Sequence, residues 1–161
     1  MLTQIIAHTP TWVFGLFFGL LALGYRQSKD RIMTKRALII LPIVMVALAI
    51  NGELRTFNFQ LSALVTWFFG AALGYLLVRN FVKINAHYIK EQQAFFLKGS
   101  WLPLTLMMAI FLTKYIVGTL LATQANIITT TEFMILVSVL YGVFSGFFIA
   151  RTHKILAVQT L

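Results

Sequence analysis

The sequence predicts an all-α fold: a polytopic integral membrane helical bundle of five transmembrane spans, N-terminus outside and C-terminus inside. Three observations lead there. Five apolar stretches, about residues 10–25, 37–54, 60–78, 101–123 and 130–150, approach or reach the ~20 helical residues that a ~30 Å hydrocarbon core takes. The 161 residues are 60% hydrophobic and 11% charged, against about 45–50% and 25% in soluble domains. So few polar groups cannot cover a water-facing surface. Finally, the basic residues collect on one side of the bilayer once the spans are threaded. The chain reads as one transmembrane domain, 1–161.

The first ten residues, MLTQIIAHTP, hold no Lys or Arg and no A-x-A pattern, so no cleavable signal peptide is expected. Thr9-Pro10 reads as an N-cap followed by Pro at the first helical position. Leu2, Ile5 and Ile6 fit the outer interface before a short first span. A basic connection follows, Arg26 to Arg36. The second span carries Pro42, where a lost donor predicts a kink. Its purely apolar run is too short to cross the core, so Gly52 to Phe57 must extend it, drawing Glu53 and Arg55 towards the far face. The third span ends at Arg79. In the loop 80–99, apolar residues alternate roughly at Val82, Ile84, Ala86 and Tyr88, which suits a short β-hairpin or an amphipathic interfacial helix. Ser100 is placed to cap the fourth span, with Pro103 in its first turn. Thr129-x-x-Glu132 fits a capping box opening the fifth. The tail after Ala150 is basic, then apolar, and suits the membrane surface.

Orientation follows from Lys and Arg. With the first connection inside, Arg26, Lys29, Arg31, Lys35, Arg36, Arg79, Lys83, Lys90, Lys98, Arg151 and Lys154 all lie inside. That is eleven of the thirteen basic residues. Arg55 lies outside and Lys114 in the membrane. The positive-inside rule sorts spans by Lys and Arg near their ends. The same placement accounts for the net charge of +9 without nucleic acid. Arg26, Lys29, Arg31, Lys35, Arg36, Arg79, Lys83 and Arg151 are the candidates for contact with anionic lipid of the inner leaflet.

Spans one, three and five run in one direction, and each carries a G-x-x-x-G pair: Gly15/Gly19, Gly70/Gly74 and Gly142/Gly146. Glycines four apart share a helix face and let backbones approach closely. They mark these helices for tight packing, within the chain or across a dimer. A hinge is the alternative reading.

Lys114 stands well inside the fourth apolar stretch, roughly 18 Å from its inner edge at ~1.5 Å per residue. An unpaired ammonium there costs about 2.5–3.5 kcal/mol on insertion scales. It can snorkel, pair with a carboxylate, or face a wet cavity as a functional charge. Glu53, at roughly 24 Å by the same count, is the candidate partner. Arg55 competes for it from nearer the water.

No catalytic set is expected. Cysteine is absent, which removes thiolate chemistry and disulfides. H-E-x-x-H, G-x-S-x-G and Walker patterns are absent too. His8 falls outside and His87 and His153 inside, so paired histidines do not face each other in the membrane and a bis-histidine haem is not expected. His87 and His153 with Asp30 or Glu91 make a poor ligand set, so neither metal nor cofactor is expected. The hydroxyls in the spans, Thr66, Thr105, Thr113, Tyr115, Ser138, Tyr141 and Ser145, more often bond between helices or back to their own backbone. Trp12 and Trp101 suit opposite interface belts, and Trp67 a packed position.

The motifs HTPTWVF (His8 to Phe14) and GSWLPL followed by IFLTKY (Gly99 to Tyr115) resemble a group of small bacterial inner-membrane proteins of uncharacterised function. The resemblance implies a bacterial inner (cytoplasmic) membrane location and no activity. The residues themselves favour a non-enzymatic membrane protein that acts through helix packing and through protein or lipid interaction, in envelope maintenance. Its expected partners are the bilayer, including anionic lipid, and a second copy or another membrane protein. The alternative is a small oligomeric transporter or channel using Lys114 as its intramembrane charge. A membrane enzyme ranks third.

Overall fold

The computed structural model describes residues 11–57, 60–123 and 125–159. Thr9, Pro10, Leu2, Ile5, Ile6 and His8 lie outside them. Among the described residues there are five α-helices: α1 (Thr11–Gln27), α2 (Lys35–Phe57), α3 (Leu61–Phe81), α4 (Leu102–Ala122) and α5 (Thr131–Ala157). Four of them, α2 to α5, are long and apolar enough to cross a membrane. α1 has 17 residues, about 26 Å at 1.5 Å per residue. This is a multi-pass, membrane-embedded helical protein.

The chain forms two compact units. The first pairs α1 with α4, antiparallel. Ser100 N–H donates to the Gln27 carbonyl at 3.1 Å where the two helices begin and end. Further along, the rings of Phe17 and Phe111 meet at a tilt, their centres 5.3 Å apart. Leu104 packs where Gly24 has no side chain.

The second unit is built round its last helix. The most apolar stretch of α5 is 67% buried, against 28% in α2 and in α3. α2 lies antiparallel to it: Glu53 meets Ser138, and Leu38 meets Thr152. α3 lies parallel to it: Ser62 reaches Met134 near the starts of the helices and Tyr75 reaches His153 near their ends. Alternating span directions require this arrangement. Ile40, Ile43, Phe68, Phe69 and Leu73 point outward, as faces toward lipid chains must. α2 runs through Pro42 without interruption and on to Phe57. It begins at Lys35, so Lys35 and Arg36 are helical rather than part of the connection.

A three-stranded antiparallel sheet closes one end of this unit, in the order β1-β3-β2. β2 (Ala86–Ile89) and β3 (Ala94–Leu97) form the hairpin that was one of two readings of the 80–99 loop. Lys90 to Gln93 make its turn, with Gln93 at φ 47°, the left-handed region non-glycine residues visit sparingly. β1 (Arg31–Thr34) corrects the reading of Arg26 to Arg36 as a plain basic connection. It pairs with β3, Arg31 opposite Leu97 and Thr34 opposite Ala94. A four-residue strand whose partner lies some sixty residues on leaves no local pattern to read. The sheet's packed face, with Ala86, Phe95 and Leu97, covers Leu38 of α2 and Ile155 of α5.

Two caps differ in detail from the expected ones. Thr130, not Thr129, caps α5, its hydroxyl accepting from Phe133 N–H at 3.3 Å. The capping box fails because a 3-10 turn, Asn126–Thr129, holds Thr129 and shifts the helix start by one. At α4, Ser100 Oγ accepts from Leu102 N–H at 3.3 Å, ahead of Pro103.

Candidate functional site

α2 buries one stripe: Leu38, Pro42, Met45, Ala49 and Glu53. The spacing of three and four keeps it on a single face against α5. The last member is a carboxylate. Glu53 is only 2% exposed, and Ser138 Oγ donates to its Oε2 at 3.1 Å. Tyr141, one turn further along α5 and equally buried, feels the charge of the same carboxylate. Ser138 and Tyr141 are three residues apart, so both face α2. In the sequence they stand only as hydroxyls that bond between helices or back to their own backbone. Their match to Glu53 needed the antiparallel register of α2 on α5. Chemically this cluster can hold or release a proton, and it ties two spans together.

Lys114 lies half-buried on α4, in the first unit. Tyr115, the next residue, stacks with Phe111 at 6.2 Å. The span hydroxyls largely turn back on their own helices. Thr66 donates to the Ser62 carbonyl at 2.7 Å, Thr113 to Ala109 at 2.8 Å and Ser145 to Tyr141 at 2.8 Å.

The glycines divide in two. Gly70 and Gly74 of α3 face the backbone of Val139 and Val143. Gly142 and Gly146 of α5 face that of Trp67 and Ala71. Each helix thus seats its glycines against the other's main chain, with no room for a Cβ. Gly15 and Gly19 of α1 have nothing among the described residues within 4 Å of a Cβ position. Trp67 is buried in the same contact, while Trp101 is exposed at the start of α4. The Trp12 side chain lies outside the described residues.

The cations of the second unit gather at the sheet end. Lys35, Arg36, Arg79 and Lys83 are exposed there, and Arg31 is half-buried. Arg151 is only 8% exposed. Lys154 Nζ donates to the carbonyls of Val78 (3.3 Å), Arg79 (3.2 Å) and Val82 (2.7 Å). It thereby caps the end of α3, where orphan carbonyls and the helix dipole favour a cation. The Tyr75 hydroxyl and His153 Nδ1 are hydrogen-bonded at 2.7 Å. His87 is exposed on β2. Arg55 is exposed at the opposite end. In the first unit, Arg26 ends α1, and Lys29 Nζ sits 4.9 Å from the centre of the Tyr25 ring.

At the Glu53 end lies an open depression of about 610 Å³, lined by Thr56, Gln60, Ser62, Thr129, Thr130 and Thr131 among others. Among the described residues, no group of three or more His, Asp or Glu is placed to hold a metal ion. Residues 1–160 match the model of a family of unknown function, DUF6622. No curated protein and no solved structure matches the chain.

Proposed function

For this chain, which belongs to DUF6622, a family of unknown function, we propose a non-enzymatic role in the bacterial inner membrane. It crosses the bilayer five times, N-out and C-in. It acts by packing with itself or a membrane partner and by contact with anionic lipid, in maintenance of the envelope. The observation that carries this reading is the gathering of Lys35, Arg36, Arg79, Lys83 and Arg151 at one end of the second unit. Each such cation near an anionic leaflet is worth about 1 kcal/mol. The test is lipid enrichment. Purified chain is reconstituted into nanodiscs of mixed phosphatidylglycerol and phosphatidylcholine, and the lipid retained around it is counted by mass spectrometry. Phosphatidylglycerol should be enriched, and the quadruple change of Lys35, Arg36, Arg79 and Lys83 to Gln should abolish the enrichment. Equal retention of both lipids by the unchanged chain rejects the reading.

The burial of Glu53 favours a second reading, a small oligomeric transporter or channel with its charge inside the membrane. Ionisable groups in spans mark ion and proton pathways. Lys114, on α4 of the first unit, is the other intramembrane charge of that reading. Proteoliposomes carrying the purified chain would then pass protons or small ions, and Glu53→Gln would stop the flux. Tight vesicles would exclude it.

A further inference from the structure

We propose that the hollow at the Glu53 end of the second unit is a binding site for an uncharged sugar. Such a site goes beyond the lipid and transport readings above and rests on neither. It lies at the end of the spans away from the sheet, and it stands whichever way the chain faces.

Three stretches of the second unit wall the hollow. They are the last turn of α2, with Thr56 and Phe57, the start of α3, with Gln60 and Ser62, and the turn into α5, from Ile128 to Met134. Side chains tie these walls to one another. The Ser62 hydroxyl lies 3.5 Å from Met134 Sδ. The Phe57 ring meets that of Phe133 edge to face, their centres 6.4 Å apart, and Phe133 is itself buried on α5. Phe57 is therefore a fixed, half-buried ring at the edge of the hollow.

The polar groups of the lining are neutral and keep hydrogen-bonding capacity to spare. Thr129 donates to the Asn126 carbonyl at 2.8 Å, which fixes its hydroxyl and leaves the oxygen to accept. Thr66, Thr113 and Thr119 return their hydroxyls to the carbonyl four residues back, a common outcome within a helix. Thr56 is helical too, yet among the described residues its hydroxyl makes no such bond. Gln60 precedes α3 without capping it through its side chain, and Thr131 leaves the capping of α5 to Thr130. One amide and several hydroxyls, donors and acceptors together, thus line a single hollow.

The lining selects the ligand class. Among the described residues no charged side chain lines the hollow. An ionised ligand would give up hydration there with no counter-charge to replace it. An uncharged ligand with several hydroxyls matches the amide and the threonines. Phe57, Ile128 and Met134 ask for an apolar surface on the same molecule. A sugar ring has both, with hydroxyls round its rim and C–H groups on its faces. Those C–H groups are weakly positive and suit the negative face of an aromatic ring. The volume of about 610 Å³ falls within the range of about 300–1,000 Å³ typical of small-molecule sites, room enough for a mono- or disaccharide. A free sugar and the headgroup of a glycolipid share this chemistry.

The test uses the full chain purified in lauryldimethylamine oxide, a detergent without a sugar headgroup. Binding is read by saturation-transfer NMR on the ring protons of glucose, maltose and octyl glucoside, each titrated at millimolar concentration. Glucuronate and glucosamine are the charged controls. At least one neutral sugar should show saturable transfer, and both charged controls should bind more weakly than glucose. Octyl glucoside binding about tenfold or more tighter than glucose identifies a glycolipid headgroup; a smaller advantage identifies a free sugar. Gln60→Ala combined with Thr131→Val removes two neutral hydrogen-bonding groups and should weaken the sugar about tenfold. Both residues are exposed at helix starts, and thermal unfolding checks that the variant is folded. Phe57→Leu keeps the site apolar but removes the flat ring; it should weaken binding about threefold and serves where the double variant does not fold. Affinity unchanged in the folded variants overturns the site, as does an absence of saturable transfer to all three neutral probes. Glucuronate or glucosamine binding as tightly as glucose overturns the assignment to an uncharged ligand.

Discussion

Alanine at Gly70 or Gly146 probes the parallel contact of α3 and α5 where it is tightest. A Cβ on Gly146 would meet the Ala71 carbonyl and the Tyr75 amide nitrogen. Both are main-chain atoms, which cannot rotate aside. A Cβ on Gly70 would stand 2.5 Å from the Val139 oxygen, where ordinary contact begins at 3.4 Å. The helices must part by about 0.9 Å, and a gap of about 0.5–1 Å forfeits about a quarter to a half of each dispersion well it opens. Because both helices are stiff, the loss spreads to neighbouring contacts, and overpacking of this kind costs about 1–3 kcal/mol. Opposing it is the helix propensity of alanine over glycine, up to about 1 kcal/mol. Gly118 separates the two effects, having nothing within 4 Å of a Cβ position. Gly118→Ala should be neutral or stabilising; Gly70→Ala and Gly146→Ala should melt lower. For a chain of this length each kcal/mol moves the midpoint about 2–4 °C, so thermal unfolding of detergent-purified variants resolves the difference. If Gly70→Ala and Gly146→Ala melt with Gly118→Ala or above it, close backbone packing does not hold α3 to α5.

Three further outcomes are expected. Lys154→Met strips the carbonyls of Val78, Arg79 and Val82 of their shared donor. It should lower stability by about 1–3 kcal/mol, with faster amide exchange confined to the end of α3; unchanged exchange there would show that the cap is idle. Glu53→Gln and Lys114→Met should each destabilise, by up to about 3–5 kcal/mol if the two are a buried pair, while the double variant recovers most of the loss. Strictly additive losses would separate the two residues and leave Ser138 and Tyr141 as the partners of the carboxylate. A reporter fused after Lys154 should read cytoplasmic, and one inserted within residues 125–129 external; the reverse at either site rejects the five-span, N-out arrangement.

Length and hydropathy made the multi-span helical character legible, because a bilayer leaves few other solutions for the backbone. They could not rank the helices. α5 is the packed centre and α2 the flank, yet both read as apolar, since lipid-facing and protein-facing residues are alike hydrophobic. Glycine spacing was visible too, but Gly70 and Gly15 look the same in sequence, and only one of them meets a neighbouring backbone. β1 was hidden because its partner β3 is remote. Glu53 stood out as a rare carboxylate near a span, whereas Ser138 and Tyr141 became its neighbours only once α2 and α5 had a register. Arg151 looked like one more surface cation. Its burial shows only once α5 is seen as the helix that the others pack on.

The order of elements along the chain sets a schedule for assembly. The helix that α2 and α3 both pack on is made after both of them. Glu53 and Ser138 are 85 residues apart. At a synthesis rate of about 5–20 residues per second, the carboxylate leaves the ribosome on the order of ten seconds before the hydroxyl that will receive it. The glycine face of α3 waits almost as long. Through that interval α2 and α3 are in the membrane with their polar and close-packing surfaces uncovered, and a chain stopped before Thr131 never covers them. The core of the second unit therefore closes only when α5 arrives, and until then it stays half-built within the membrane.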